Sequence, residues 1–61
     1  MPDSAKYGLG EMVRILGLEE GEIIARTEHL YQEDTYLVRY RDAAGVAVER
    51  LWGESALEPV T

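Results

Sequence analysis

The sequence predicts an all-β fold, a small barrel of four to five antiparallel strands with a 3₁₀ turn before the last strand. Three observations carry this. Residues Tyr36 to Trp52, YLVRYRDAAGVAVERLW, set two alternating runs around a short Asp-Ala-Ala-Gly turn, the pattern of a β-hairpin. Upstream, Glu11 to Leu16 and Glu22 to Leu30 carry further strand-like stretches separated by glycines. A chain of 61 residues is one domain at most, and short, sharply turned strands of this number are expected to curl on themselves rather than lie open.

Residues 1 to 6 are small and polar and are expected to form a flexible N-terminus, leaving 7 to 61 as a single domain. Tyr7 is the first candidate anchor. In the first strand, Val13 and Ile15 share one face and Arg14 takes the other. Gly17-Leu18-Glu19-Glu20-Gly21 then reads as a turn with Glu19 and Glu20 at its exposed tip. The second strand, Glu22 to Leu30, places Ile23, Ala25 and Thr27 on one face and Ile24, Arg26 and Glu28 on the other. A polar loop, Tyr31 to Asp34, leads to the third strand, which begins at Thr35.

There Tyr36, Val38 and Tyr40 alternate with Leu37, Arg39 and Arg41, giving one apolar, aromatic face. Asp42 to Gly45 fits a four-residue loop on a type I turn, with Asp bonding the following amides and Gly accepting positive φ. The fourth strand, Val46 to Trp52, puts Val46, Val48, Arg50 and Trp52 on one face and Ala47, Glu49 and Leu51 on the other. Gly53 to Leu57 suits a 3₁₀ turn, and Glu58-Pro59-Val60 a short last strand whose proline belongs at an edge.

Composition narrows the function classes. Twelve acidic against six basic residues give a formal charge of −6, a field that repels phosphate backbones and anionic membranes, so nucleic acid is disfavoured and cationic partners are favoured, although the simpler reading of the balance is solubility alone. Apolar runs of two to three residues are far short of the roughly 20 needed to span a bilayer as a helix. The N-terminal residues lack a secretory pattern, so no membrane association and a cytoplasmic location are expected. With no cysteine and a single histidine, His29, neither a disulfide nor a structural zinc site is available to staple a domain this small. Self-association is the staple that remains.

The arrangement resembles an SH3-like barrel. Leu9-Gly10-Glu11-Met12-Val13 resembles the opening of Tudor, KOW and related barrels, and Gly21-Glu22-Ile23-Ile24 their second strand. Tyr36 to Asp42 is similar to a Tudor-like third strand, and Ser55-Ala56-Leu57-Glu58-Pro59 to the closing 3₁₀ turn and strand. Length and layout are also similar to the plasmid-borne type II dihydrofolate reductases, tetramers of such barrels around one pore, with Tyr7 to Arg14 and Ser55 to Glu58 matching best. That resemblance implies NADPH-dependent reduction of dihydrofolate. Where that family carries valine, glutamine, isoleucine and tyrosine, this chain has Glu49-Arg50-Leu51-Trp52, so the nicotinamide and folate contacts do not carry over. The compact sequence also looks like short accessory proteins of bacteriophages and mobile gene cassettes.

Candidate site residues are few, and none is a nucleophile paired with a base. Tyr36, Tyr40 and Trp52, with Glu49 or Asp42, would form a cation–π site if they met across the hairpin; the simpler account has Tyr36 and a second ring filling a core that contains no phenylalanine. Trp52, the only tryptophan, lies at a strand end and is the better candidate for partner contact. His29 reads as a solvated loop residue. Arg39, Arg41 and Arg50 form either a basic strip or cross-strand pairs with Glu49, and Glu19, Glu20 and Glu22 either a calcium site or a wet turn. The expectation is a non-enzymatic interaction module that binds itself or a protein partner through Tyr40, Glu49, Arg50 and Trp52, with no catalytic or metal-binding residues and no cofactor. The alternatives are a reductase-like oligomeric enzyme and a KOW-like nucleic-acid module.

Overall fold

The computed structural model describes residues 6 to 60, so the expectation for the N-terminus lies, apart from Lys6, outside the described residues. Five strands form one antiparallel sheet: β1 (Met12–Ile15), β2 (Glu19–Thr27), β3 (Thr35–Arg41), β4 (Ala47–Gly53) and β5 (Leu57–Pro59), with a 3₁₀ turn at Glu54–Ala56. The order across the sheet is β4-β3-β2-β1-β5. The ladders therefore leave β4 and β5 as the two edges. The sheet is all-β and antiparallel with the 3₁₀ turn where the sequence places it, but among the described residues no ladder closes it into a barrel.

The first turn is tighter than the sequence suggests. Leu18 donates to the Ile15 carbonyl at 2.8 Å, and the residues between them, Leu16 and Gly17, have φ of 51° and 75°, the positive values that a tight hairpin turn requires. Glu19 and Glu20 consequently are not the tip of a turn. They lie in β2 opposite Ile15 and Arg14, and Glu20 accepts from Arg14 at 2.9 Å, so no carboxylate cluster forms there.

A bulge changes the faces of β2. Ile23 pairs with Val38, but Ala25 pairs with Leu37, leaving Ile24 as the extra residue and reversing the alternation beyond it. Arg26, not Ala25, therefore shares the inner face with Ile23. There it stands opposite Tyr36 and pairs with Asp34 at 3.3 Å and Glu28 at 2.9 Å.

The β3–β4 hairpin follows its sequence closely. Asp42 Oδ1 accepts from the amides of Ala44 and Val46 at 2.9 and 3.0 Å, Gly45 donates to the Asp42 carbonyl at 2.9 Å, and Gly45 takes φ of 82°. The register then sets Tyr36 opposite Trp52, Val38 opposite Arg50 and Tyr40 opposite Val48.

The core consists of Tyr7, Val13, Ile15, Ile23, Tyr36, Val38 and Leu57, with Tyr40 and Trp52 packed against it half-buried. Each of these fully buried side chains contributes about 1.5–3 kcal/mol relative to exposure. The 3₁₀ turn is pinned from both sides: Glu54 donates to the Asp34 carbonyl at 3.0 Å and Leu16 to the Ala56 carbonyl at 2.8 Å. Glu33 completes the clasp by accepting from the Ser55 amide and hydroxyl at 2.9 and 3.2 Å.

Candidate functional site: the open edge of β4

Hydrogen-bond alternation decides which residues of β4 face outward. Asp42 donates to Val46 at the loop end of the hairpin, and Glu54 donates to Asp34 at the other. Both pairs fall in the register of the ladder between them, so Val48, Arg50 and Trp52 exchange backbone bonds with β3. The amides and carbonyls of Ala47, Glu49, Leu51 and Gly53 point to the open side.

The two edges differ in how they are protected. β5 is three residues long, charged at Glu58 and deprived of a donor at Pro59, the usual defences of an edge strand. β4 has seven residues and no proline. Its flank exposes Leu51 by 65% and Val46 by 56%.

The four sequence-predicted binding residues divide between the faces of this edge. Tyr40, Arg50 and Trp52 are on the core side, and Glu49 is on the outer side, where it pairs with Arg39 at 3.5 Å. Tyr40 and Trp52 are half-buried and lie four pairs apart along the ladder, roughly 13 Å at strand spacing, so they do not form one aromatic cage. Tyr36 is fully buried and meets Tyr7 edge to face, with ring centroids 5.5 Å apart at 75°. The alternative of a cation–π site from Tyr36, Tyr40 and Trp52 is thus not assembled; as in the simpler account, Tyr36 and a second ring, Tyr7, fill the core. The Trp52 indole N–H is buried without an acceptor among the described residues.

The arginines also separate. Arg50 faces the core side, whereas Arg39 and Arg41 face outward, so they are not one strip. Arg41 donates to the Gly45 carbonyl at 2.8 Å. Arg39, Tyr40, Arg41 and the small Ala47 line an open cleft of about 350 Å³. Arg50 is exposed and makes no ion pair among the described residues.

His29 is not simply solvated: it is half-buried, with Nε2 at 3.1 Å from the Thr35 hydroxyl. Among the described residues, no group of three or more acidic or histidine side chains is arranged to hold a metal. No helix there is long and apolar enough to cross a membrane. Sequence reasoning missed Ala47 and Leu51, whose importance depends on the phase of the hydrogen bonds rather than on residue type. The pairing fixed by Asp42 is the signal that reveals them.

No family model, curated protein or solved structure matches this chain.

Proposed function

We propose that the chain is a non-enzymatic interaction module, an SH3-like barrel in overall path, that takes up an extended strand of itself or of a protein partner along β4. The observation that carries this reading is the unequal protection of the two edges: β5 is short and ends in proline, while β4 presents four outward backbone positions beside exposed Leu51. Added strands gain affinity from main-chain hydrogen bonds and specificity from alternate side chains. Arg50 and Trp52 would contact one face of the incoming strand and Glu49 and Leu51 the other. The barrel path is supported by the clasp that holds the 3₁₀ turn against both the β2–β3 loop and the β1–β2 turn.

Proline at position 51 tests this reading cleanly, because the Leu51 amide points away from β3 and its loss leaves the hairpin ladder intact. Extended peptides selected by display against the wild-type chain are expected to lose binding to Leu51→Pro and to retain it with Leu51→Ala. Circular dichroism would check that both variants fold. The proposal fails if selection yields no proline-sensitive binder and the Glu49 and Leu51 amides exchange freely with solvent at every protein concentration.

A further inference from the structure

We infer that β4 pairs antiparallel with β4 of a second copy about a twofold axis at Val48, so that Glu49 of each copy enters the Arg39–Arg41 cleft of the other. This rests on the reading of β4 as a docking edge and names its occupant. Because Ala47, Glu49, Leu51 and Gly53 face outward, a continuous two-copy sheet must pair these positions with one another. Axes at Val48, Glu49, Arg50, Leu51 or Trp52 satisfy that condition at two or more positions.

An axis at Trp52 sets Leu51 against Gly53, where the Glu33 carboxylate already fills the space beside the glycine; charge separates the other four. An axis at Glu49 sets that carboxylate opposite itself, and one at Arg50 sets two guanidinium groups together. An axis at Leu51 brings Glu49 opposite Gly53 of the other copy, where the Glu33 carboxylate lies against the glycine. The axis at Val48 places no like charges in apposition.

In that register each outer row reads Arg41, Ala47, then Glu49 and Arg39 of the second copy. The small Ala47 lets Arg41 reach across it, so the incoming carboxylate lies between two arginines, and the symmetry repeats the row. Arg39 and Glu49 already pair within one chain at 3.5 Å, and the second copy extends that pair into an alternating network. On the core side Val48 meets Val48, and the aliphatic stem of Arg50 covers exposed Val46.

The wider charge distribution agrees. Residues 35 to 53 contain three basic and two acidic side chains, a net of +1, leaving −7 on the rest of the chain. Meeting through this segment keeps the acidic remainders apart. The ladder is short, so the complex should be transient and dependent on concentration.

The chain has no cysteine, so single Val48→Cys, Glu49→Cys, Arg50→Cys and Leu51→Cys variants of the full chain report the axis through mild oxidation. The expected result is that Val48→Cys cross-links fastest. In sedimentation equilibrium, wild type should show a dimer at high concentration that Arg41→Gln weakens and that Arg14→Gln, altered on β1, leaves unchanged. Faster cross-linking at 49, 50 or 51, or a dimer indifferent to Arg41→Gln, overturns the register and the cleft. A wild type that remains monomeric while display peptides still bind in a proline-sensitive way overturns the second copy and leaves the docking edge standing; if neither occurs, both readings fall.

Discussion

The Tyr7 hydroxyl donates to the Leu57 carbonyl at 3.0 Å, joining residues 50 positions apart. The same side chain meets Tyr36 edge to face, and its backbone amide donates to the Tyr36 hydroxyl at 3.4 Å. The segment before β1 is thereby fastened to both β5 and β3.

Tyr7→Phe keeps the ring and removes only the hydroxyl, leaving the Leu57 carbonyl without that donor. The expected loss is about 1–2 kcal/mol, whereas Tyr7→Ala should cost about 3–5 kcal/mol through the cavity it creates. Urea denaturation measures both. Equal losses would show that the hydroxyl, not the ring, carries the contribution.

Tyr36 supplies a pH dependence. Burial raises its phenol above the usual tyrosine range, and the Glu54 and Asp34 charges act in the same direction against the hydrogen bonds from backbone amides. The folded state therefore holds this proton more tightly than the unfolded chain. Its contribution is complete below the ordinary tyrosine pKa, about 10, and is lost as pH rises through the elevated folded value. Ultraviolet phenolate titration should show a late-titrating tyrosine, absent in Tyr36→Phe, with stability falling over the same alkaline interval. A profile unchanged by that substitution would refute the assignment.

Gly21 is required for close approach. A Cβ there would lie 2.6 Å from Val38 Cγ1, 2.8 Å from the Arg39 carbonyl oxygen and 2.9 Å from Tyr40 Cβ. Two of these three neighbours are backbone or Cβ atoms that no side-chain rotation can move. Gly21→Ala should destabilise the fold by about 3 kcal/mol, read as a lower thermal midpoint; a neutral substitution would mean that β2 and β3 can separate without cost.

Leu16 is a site for gain. It is 61% exposed and holds φ of 51°, a conformation that disfavours a branched side chain and that asparagine tolerates. Leu16→Asn would give an Asn-Gly turn and should stabilise by about 0.5–1 kcal/mol. A lowered midpoint would indicate that the exposed leucine makes a stabilising contact of its own.

Residues with local reasons for their conformation were legible in the sequence. Asp42 and Gly45 define the hairpin through turn chemistry, Val13 and Ile15 mark the inner face of β1, and Pro59 marks an edge. The bulge at Ile24 was not legible, because two adjacent isoleucines satisfy either alternation, and only pairing with β3 reveals the extra residue. Glu19 and Glu20 misled for a related reason: the turn closes on Leu16 and Gly17, so a charged, glycine-flanked pair becomes strand. Alternation alone divides Arg50 and Trp52 from Glu49 and sets Tyr40 with Tyr36 and Val38, as the ladder shows; that β4 is an open edge was not legible, because strand order depends on pairing and not on residue type.

Gly21 and Glu22 belong to two ladders at once, facing Val13 and Met12 on one side and Tyr40 and Arg39 on the other. Neither ladder can therefore melt through this segment without exposing the other. The molecule has no hairpin it can lose as an independent folding unit at β2, and heat or denaturant should dissolve the sheet in one cooperative step, with calorimetric and van't Hoff enthalpies in agreement.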